Sequence, residues 1–225
     1  MNEHKELVAI KVAKRQDDNQ FTTELENLKN FGQHEHPNVI KKLDENTKGP
    51  KKFIVYQLAK GDLYAETFKR LKEGLPIEIS QIKSDVQGVL SGLEFIELNG
   101  LSHWDIKPGN LLRGYDNEII IGDFGLSTSF DASYEFKGTW SYLAPEIMQH
   151  KSDVDGRKAD IFSLGKTILE IVTARSPFDK ASADDKFYNL LIKKKYKEFW
   201  AHFTREENKE KMLQGSNELV MDPNF

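Results

Sequence analysis

An α+β fold in two lobes is what this sequence predicts, on three observations. Short β-type runs crowd the first third of the chain around a single helical pattern. The remainder carries long amphipathic stripes, interrupted by a strand-rich stretch near residues 111 to 122. No segment repeats another at the period of a solenoid. The asymmetry places a reduced β lobe at residues 1–57 and a mainly helical lobe at residues 58–225.

Taken in order, Leu7-Val8-Ala9-Ile10 and Phe53-Ile54-Val55-Tyr56 are β-branched or aromatic runs of strand length, and both are expected to be buried strands. Lys48-Gly49-Pro50 supplies a turn before the second. Between them Phe21, Leu25, Leu28 and Phe31 recur at helical spacing. Thr23 with Glu26 forms a capping box there, and Gly32 closes the helix. Ile79, Ile82, Val86, Val89, Leu90, Leu93 and Ile96 make one broad apolar stripe, entered near Ser80 and ended by Asn99-Gly100. Ile161, Leu164, Ile168, Leu169 and Val172 make another. The run Lys193 to Lys197 reads as a solvated helix face, with Phe199 and Trp200 packed inward.

The composition of the 225 residues, 38% hydrophobic and 11% aromatic, is sufficient for a substantial core. A net charge of −4 offers no polycationic surface, so neither nucleic acid nor a membrane is expected as a partner. The absence of cysteine excludes disulfides, thiolate catalysis and cysteine-bound zinc, and it suits the cytoplasm, the expected location. No run reaches the ~18 apolar residues of a membrane span.

Chemistry concentrates after the first long stripe, in His103-Trp104-Asp105-Ile106-Lys107-Pro108-Gly109-Asn110. Leu111-Leu112, a turn and Ile119-Ile120-Ile121 then lead into Asp123-Phe124-Gly125. Pro108 and Gly109 keep the loop from becoming helix, so the heads of Asp105, Lys107 and Asn110 can converge. A hairpin then returns Asp123 to the same place. Oxygens from Asn110 and Asp123 suit a hard cation such as Mg²⁺. That leaves Asp105 to orient and deprotonate an attacking hydroxyl, and Lys107 to offset charge on a transferred phosphoryl group. His103 is read as a neutral core histidine that holds the loop.

This segment resembles the catalytic loop H-R-D-x-K-x-x-N and the D-F-G motif of eukaryotic-type protein kinases. Val8-Ala9-Ile10-Lys11 is similar to the kinase V-A-I-K strand, which implies that Lys11 grips the ATP phosphates and pairs with a helix glutamate. That glutamate is taken to be Glu24, with Glu26 as a cap. Phe53 to Leu63 resembles the last strand, hinge and ribose turn. The resemblance therefore implies Tyr56 as gatekeeper, Gln57 and Ala59 as adenine contacts, Asp62 near the ribose, and Leu112 among the nucleotide contacts. Gly138-Thr139-Trp140-Ser141-Tyr142-Leu143-Ala144-Pro145-Glu146 looks like the end of an activation segment. Asp160 to Gly165 resembles the helix whose aspartate anchors the catalytic loop.

The resemblance runs from about residue 7 to about residue 200 and implies transfer of the ATP γ-phosphate, with Mg²⁺, to a protein substrate. Lys107 with Thr139 is the serine/threonine pattern. Three departures accompany it. The family's glycine-rich loop is expected before Val8, and the last helices, with an arginine partner for Glu146, after the final residues. Trp104 also replaces the arginine that grips a phosphorylated activation loop, so phosphorylation of Ser127, Ser129 or Ser133 is not expected to be the on-switch. The first and third departures motivate the alternative, a kinase-like scaffold with weak or no turnover.

Overall fold

The computed structural model describes residues 7–15, 18–32, 34–75, 78–130, 138–151 and 153–203. Strand β1 (Val8–Val12) pairs antiparallel with β3 (Phe53–Gln57), which also takes β2 (Lys42–Asn46) on its other side. The register sets Lys11 opposite Ile54 and Ala9 opposite Tyr56. β1 is therefore an edge strand, and its alternate residues Ile10 and Val12 face solvent. The expectation of a buried first strand is corrected here, because no element among the described residues covers that face. β2 is so charged that its sequence carries no strand signal; its pairing with β3, through a bulge between Lys42 and Asp44, creates it.

Helix α1 (Asn19–Asn30) begins four residues before the expected capping box. Asp18 is the cap: its side chain accepts from the Phe21 N–H, and Glu26 is exposed in the middle of the helix. Gly32, at a left-handed φ of +62°, ends it as expected. After β4 (Gly61–Asp62), Asp62 caps α2 (Leu63–Glu73), whose apolar face was too short to stand out in the sequence. The long helix α3 (Ile79–Leu98) carries the first stripe, with Val89 and Ile96 buried but Ile79 and Leu90 left exposed at its margin.

β5 (Leu101–Ser102) opens the loop that carries Asp105, and a 3-10 turn at Pro108–Asn110 leads into the hairpin of β6 (Leu111–Arg113) and β7 (Ile119–Ile121). β4 joins β6, and β5 pairs with β8 (Thr128–Ser129). Short helix α4 (Pro145–Met148) precedes α5 (Gly156–Thr173), which carries the second stripe with Leu164 buried and Ile161 exposed. Helices α6 (Lys186–Ile192) and α7 (Tyr196–Ala201) follow. Of the lysine run, Lys193 to Lys195 occupy the exposed turn between these two rather than a helix face and Lys197 lies exposed on α7, while Phe199 is fully buried and Trp200 half-buried. No helix among the described residues is long and apolar enough to cross a membrane.

One apolar cluster joins Phe21, Leu25 and Leu28 of α1 to Ile54 of β3, Ile119 to Ile121 of β7, Val89 of α3 and Leu164 of α5. Phe124 lies in it with no exposed surface, and burial of such a side chain contributes about 1.5–3 kcal/mol. This core fixes the hairpin, and with it Asn110 and Asp123 at its two ends. A second cluster packs Trp104 against Leu143, Ala144, Ile147, Val154 and Ala159.

Candidate active site

A cavity of about 390 Å³ lies between β1, β3 and the β6–β7 hairpin. Lys11, Glu24, Asn110 and Asp123 line it, and so do Gln57, Ala59, Asp62 and Leu112. The structure thus brings together eight of the ten residues singled out from the sequence. Asp105 and Lys107 complete the set through contacts with Asn110 and Thr139.

The upper part is built by α1 and β1. Lys11 Nζ donates to Glu24 Oε2 at 2.5 Å and to Asp123 Oδ1 at 2.7 Å. Burial alone would lower the Lys11 ammonium, but Glu24 and then Asp123 outweigh it and hold its pKa above the ordinary value. Burial would raise the Asp123 carboxyl in turn, yet Lys11 holds it below the usual carboxylate range. Glu24 is fully buried and also accepts from the Tyr56 hydroxyl at 2.7 Å. Burial and the adjacent Glu24 push the Tyr56 phenol upward, so it stays a donor. One turn further along the same face of α1, Asn27 Nδ2 donates to the carbonyls of Phe124 and Ser127. This tie was not foreseen. Its signal was an amide sitting between Leu25 and Leu28 inside an apolar stripe.

The lower part is built by the loop. Asp105 is buried, and its carboxylate accepts four hydrogen bonds. Oδ1 takes the Thr139 N–H at 2.8 Å and the Thr139 hydroxyl at 2.7 Å. Oδ2 takes Lys107 Nζ at 2.7 Å and Asn110 Nδ2 at 3.0 Å. Lys107 also donates to Thr139 Oγ1 at 2.7 Å. The Asn110 amide nitrogen is held by the Asp105 carboxylate and by the Asp105 main-chain carbonyl, at 2.8 Å. Its side-chain oxygen is therefore the atom left for a cation, beside the half-exposed carboxylate of Asp123. An amide oxygen and a carboxylate oxygen on one cavity wall fit a hard divalent ion.

Two residues of this region sit at left-handed φ without being glycine, Trp104 at 66° and Asp123 at 62°. Such backbone strain persists only where surroundings over-determine it. For Trp104 the constraint is Asp160, on the second turn of α5, whose carboxylate accepts the N–H groups of both His103 and Trp104. Burial lifts the Asp160 carboxyl to about 7, against those two donors. His103 is fully buried, and desolvation keeps it neutral. Its Nε2 lies 3.0 Å from the Gly122 carbonyl and its Nδ1 accepts the Asp105 N–H, which assigns the proton to Nε2. The scaffold role expected for His103 matches this geometry.

Some readings change in detail. Asp62 spends one oxygen on the Ala65 N–H as a helix cap, in addition to lining the cavity. Gln57 uses its main-chain N–H on the Lys41 carbonyl, so only its carbonyl side remains for a base. Ser127 is buried, and its hydroxyl donates to the His103 carbonyl, which removes it as an accessible phosphorylation site; Ser133 lies outside the described residues.

A family model described as "Protein kinase domain" matches residues 1–220. Among curated proteins, the chain is similar to a serine/threonine-protein kinase dst2 of Dictyostelium discoideum, 28% identical over 77% of this chain and 16% of that protein. It is similar to a CBL-interacting protein kinase 26 of Oryza sativa subsp. japonica, 29% identical over 72% of this chain and 33% of the relative. A germinal center kinase 3 of Caenorhabditis elegans is 32% identical over 67% of this chain and 28% of its own length. The chain thus spans at most a third of these three relatives.

Proposed function

Because the chain belongs to the protein kinase domain family, we propose that it transfers the γ-phosphoryl group of ATP to serine or threonine hydroxyls of protein substrates. The observation that carries this reading is the Asp105 carboxylate, held by Lys107, Asn110 and Thr139 at the edge of the cavity that Lys11 and Asp123 line. The adenine lies against Gln57, Ala59 and Leu112, the ribose near Asp62, and the phosphates toward Lys11. Mg²⁺ would be held by Asn110 and Asp123 and would neutralise charge on the phosphate oxygens.

An acceptor hydroxyl donates to the Asp105 carboxylate, which Lys107, Asn110 and Thr139 hold in place. Asp105 takes the hydroxyl proton as that oxygen attacks the γ-phosphorus. The bond between the γ-phosphorus and the bridging oxygen breaks, and ADP departs with the electron pair. The Lys107 ammonium, held beside Asp105, offsets the negative charge that develops on the transferred group. Preference for Ser or Thr over Tyr rests on the Lys107–Thr139 pair and on the likeness to serine/threonine-protein kinase dst2.

ATP turnover against a mixed peptide library tests the reading, with Asp105→Asn beside the wild type. A general base contributes about 10²–10⁴ in rate, so a loss of that size with nucleotide affinity intact is expected. Binding of Mg-ATP with no transfer that depends on Asp105 would replace the enzyme by a nucleotide-binding scaffold.

A further inference from the structure

Lys166 is a lysine in the interior of α5 with almost no exposed surface. Its Nζ donates to two main-chain carbonyls, Ser141 at 2.6 Å and Phe178 at 2.7 Å. The same ammonium lies 4.9 Å from the centre of the Tyr142 ring and 4.6 Å from that of Phe178. Two carbonyls and two ring faces make a site for a cation, since rings attract it through their quadrupoles. Burying a lysine costs enough that it is tolerated only where its charge is well met.

We propose that Lys166 is a positioning residue that fixes the acceptor-facing segment Thr139–Tyr142 to α5 and to the turn at Phe178. The proposal rests on the transfer reading above. Ser163, Lys166 and Glu170 recur at helical spacing, and all three hold this segment. The Ser163 hydroxyl donates to the Tyr142 carbonyl at 2.8 Å, Lys166 takes the Ser141 carbonyl, and Glu170 accepts the Tyr142 hydroxyl at 2.5 Å. Two residues earlier, Thr139 holds Asp105 and Lys107. A shift at Ser141 is therefore transmitted to the catalytic carboxylate within two peptide units. The nucleotide cavity, lined from β1, β3 and the β6–β7 hairpin, does not include Lys166. The clamp acts on the acceptor side alone.

Titration adds an independent handle. Burial pushes the Lys166 ammonium down to about 8, against the pull of Glu170 on its own helix and of Asp179 and Asp185 from the turn and start of α6. Tyr142, the other titratable group against it, is shifted upward by burial and by Glu170 and stays protonated there. The charge on Lys166 is thus present at pH 7 and lost as pH rises through about 8.

The test compares wild type, Lys166→Met and Lys166→Arg by amide hydrogen exchange and by steady-state kinetics. In Lys166→Met the Tyr142 and Leu143 amides, hydrogen-bonded to the Thr139 and Trp140 carbonyls, exchange about 10-fold or more faster, while α3 amides are unchanged. Peptide kcat/KM falls about 10-fold with the KM for ATP unaltered. Wild type loses peptide kcat/KM between pH 7 and pH 9; Lys166→Arg, charged throughout, restores activity and is flat over that range. Unchanged exchange at Tyr142 and Leu143, or equal acceleration over the whole chain, overturns the proposal. If wild type and Asp105→Asn transfer equally, the kinase reading fails, and the exchange measurement alone still decides the role of Lys166.

Discussion

The two walls of the cleft differ in how their charged groups are held. On the lower wall Asp105 is 6% exposed and its carboxylate accepts four hydrogen bonds, two from Lys107 and Asn110 on its own short loop and two from Thr139. On the upper wall the Lys11 side chain is 39% exposed, on an edge strand whose outer residues face solvent. Its partners come from a helix and from the far end of a hairpin. On the proposed reading, the group that meets the reacting hydroxyl is buried and held from one loop and one threonine. The group that grips the phosphates, Lys11, stands on an edge strand and ties it to the hairpin, as Asn27 ties α1 to the segment after it.

The lower wall breaks hardest at Trp104. Its indole fills the second core cluster and lies so close to Gly156 that a β-carbon built there would fall 2.6 Å from the ring. Trp104→Ala is expected to cost about 3–5 kcal/mol of stability, the range for removing a buried aromatic ring. The indole N–H has no acceptor among the described residues, so Trp104→Phe orphans nothing and costs far less. Chemical denaturation separates the two. A loss under about 1 kcal/mol for Trp104→Ala would show that the ring does not hold the activation segment to the loop.

Lys11→Met probes the upper wall and is expected to raise the KM for ATP about 10-fold or more with peptide KM close to wild type; because it strips the fully buried Glu24 carboxylate of its cation, it also lowers thermal stability. The pH dependence follows from the directions of the shifts. Lys11 is raised, so what it contributes is complete below its ordinary 10.5 and is lost as pH climbs through its higher folded value. Asp123 is depressed, so its contribution is complete above 3.8 and is lost as pH falls through its lower folded value. The Lys11–Asp123 tether itself therefore adds no pH dependence to nucleotide affinity between about pH 5 and pH 9, so in titration calorimetry any break in that window should be shared by wild type and Lys11→Met. A break in that window that Lys11→Met removes would mean that the tether titrates there.

The same contrast governs what the sequence disclosed. The lower wall was legible because Asp105, Lys107 and Asn110 fall within one loop that Pro108 and Gly109 keep irregular, and because Asp160 to Gly165 resembles the kinase helix whose aspartate anchors that loop. Glu24 was legible over Glu26 only because Glu24-Leu25-x-x-Leu28 fits the kinase helix pattern, and the structure buries Glu24 and exposes Glu26. The capping box failed because Asp18, a stronger cap by its contacts with Phe21 and Lys14, lies earlier in the chain. β2 left no signal, since Lys42 to Asn46 become a strand only by pairing with β3. Lys166 was equally hidden. In sequence it is one charge inside an apolar stripe, and only the tertiary placement of two carbonyls explains why it is buried.

The smallest effect lies on the outer face of β1. Ile10 and Val12 are 58% and 52% exposed, so exchanging both for threonine keeps the β-branched character while removing little buried area. Stability should change by no more than about 0.5 kcal/mol. Because an edge strand with an apolar face invites association, static light scattering should show less self-association in the double variant. Ile54→Thr, on the neighbouring strand but with no exposed surface, provides the contrast, since a hydroxyl placed there has no water to bind. If the Ile10 and Val12 exchanges cost as much as Ile54→Thr, the outer face of β1 is covered in solution, and the upper wall is as firmly held as the lower.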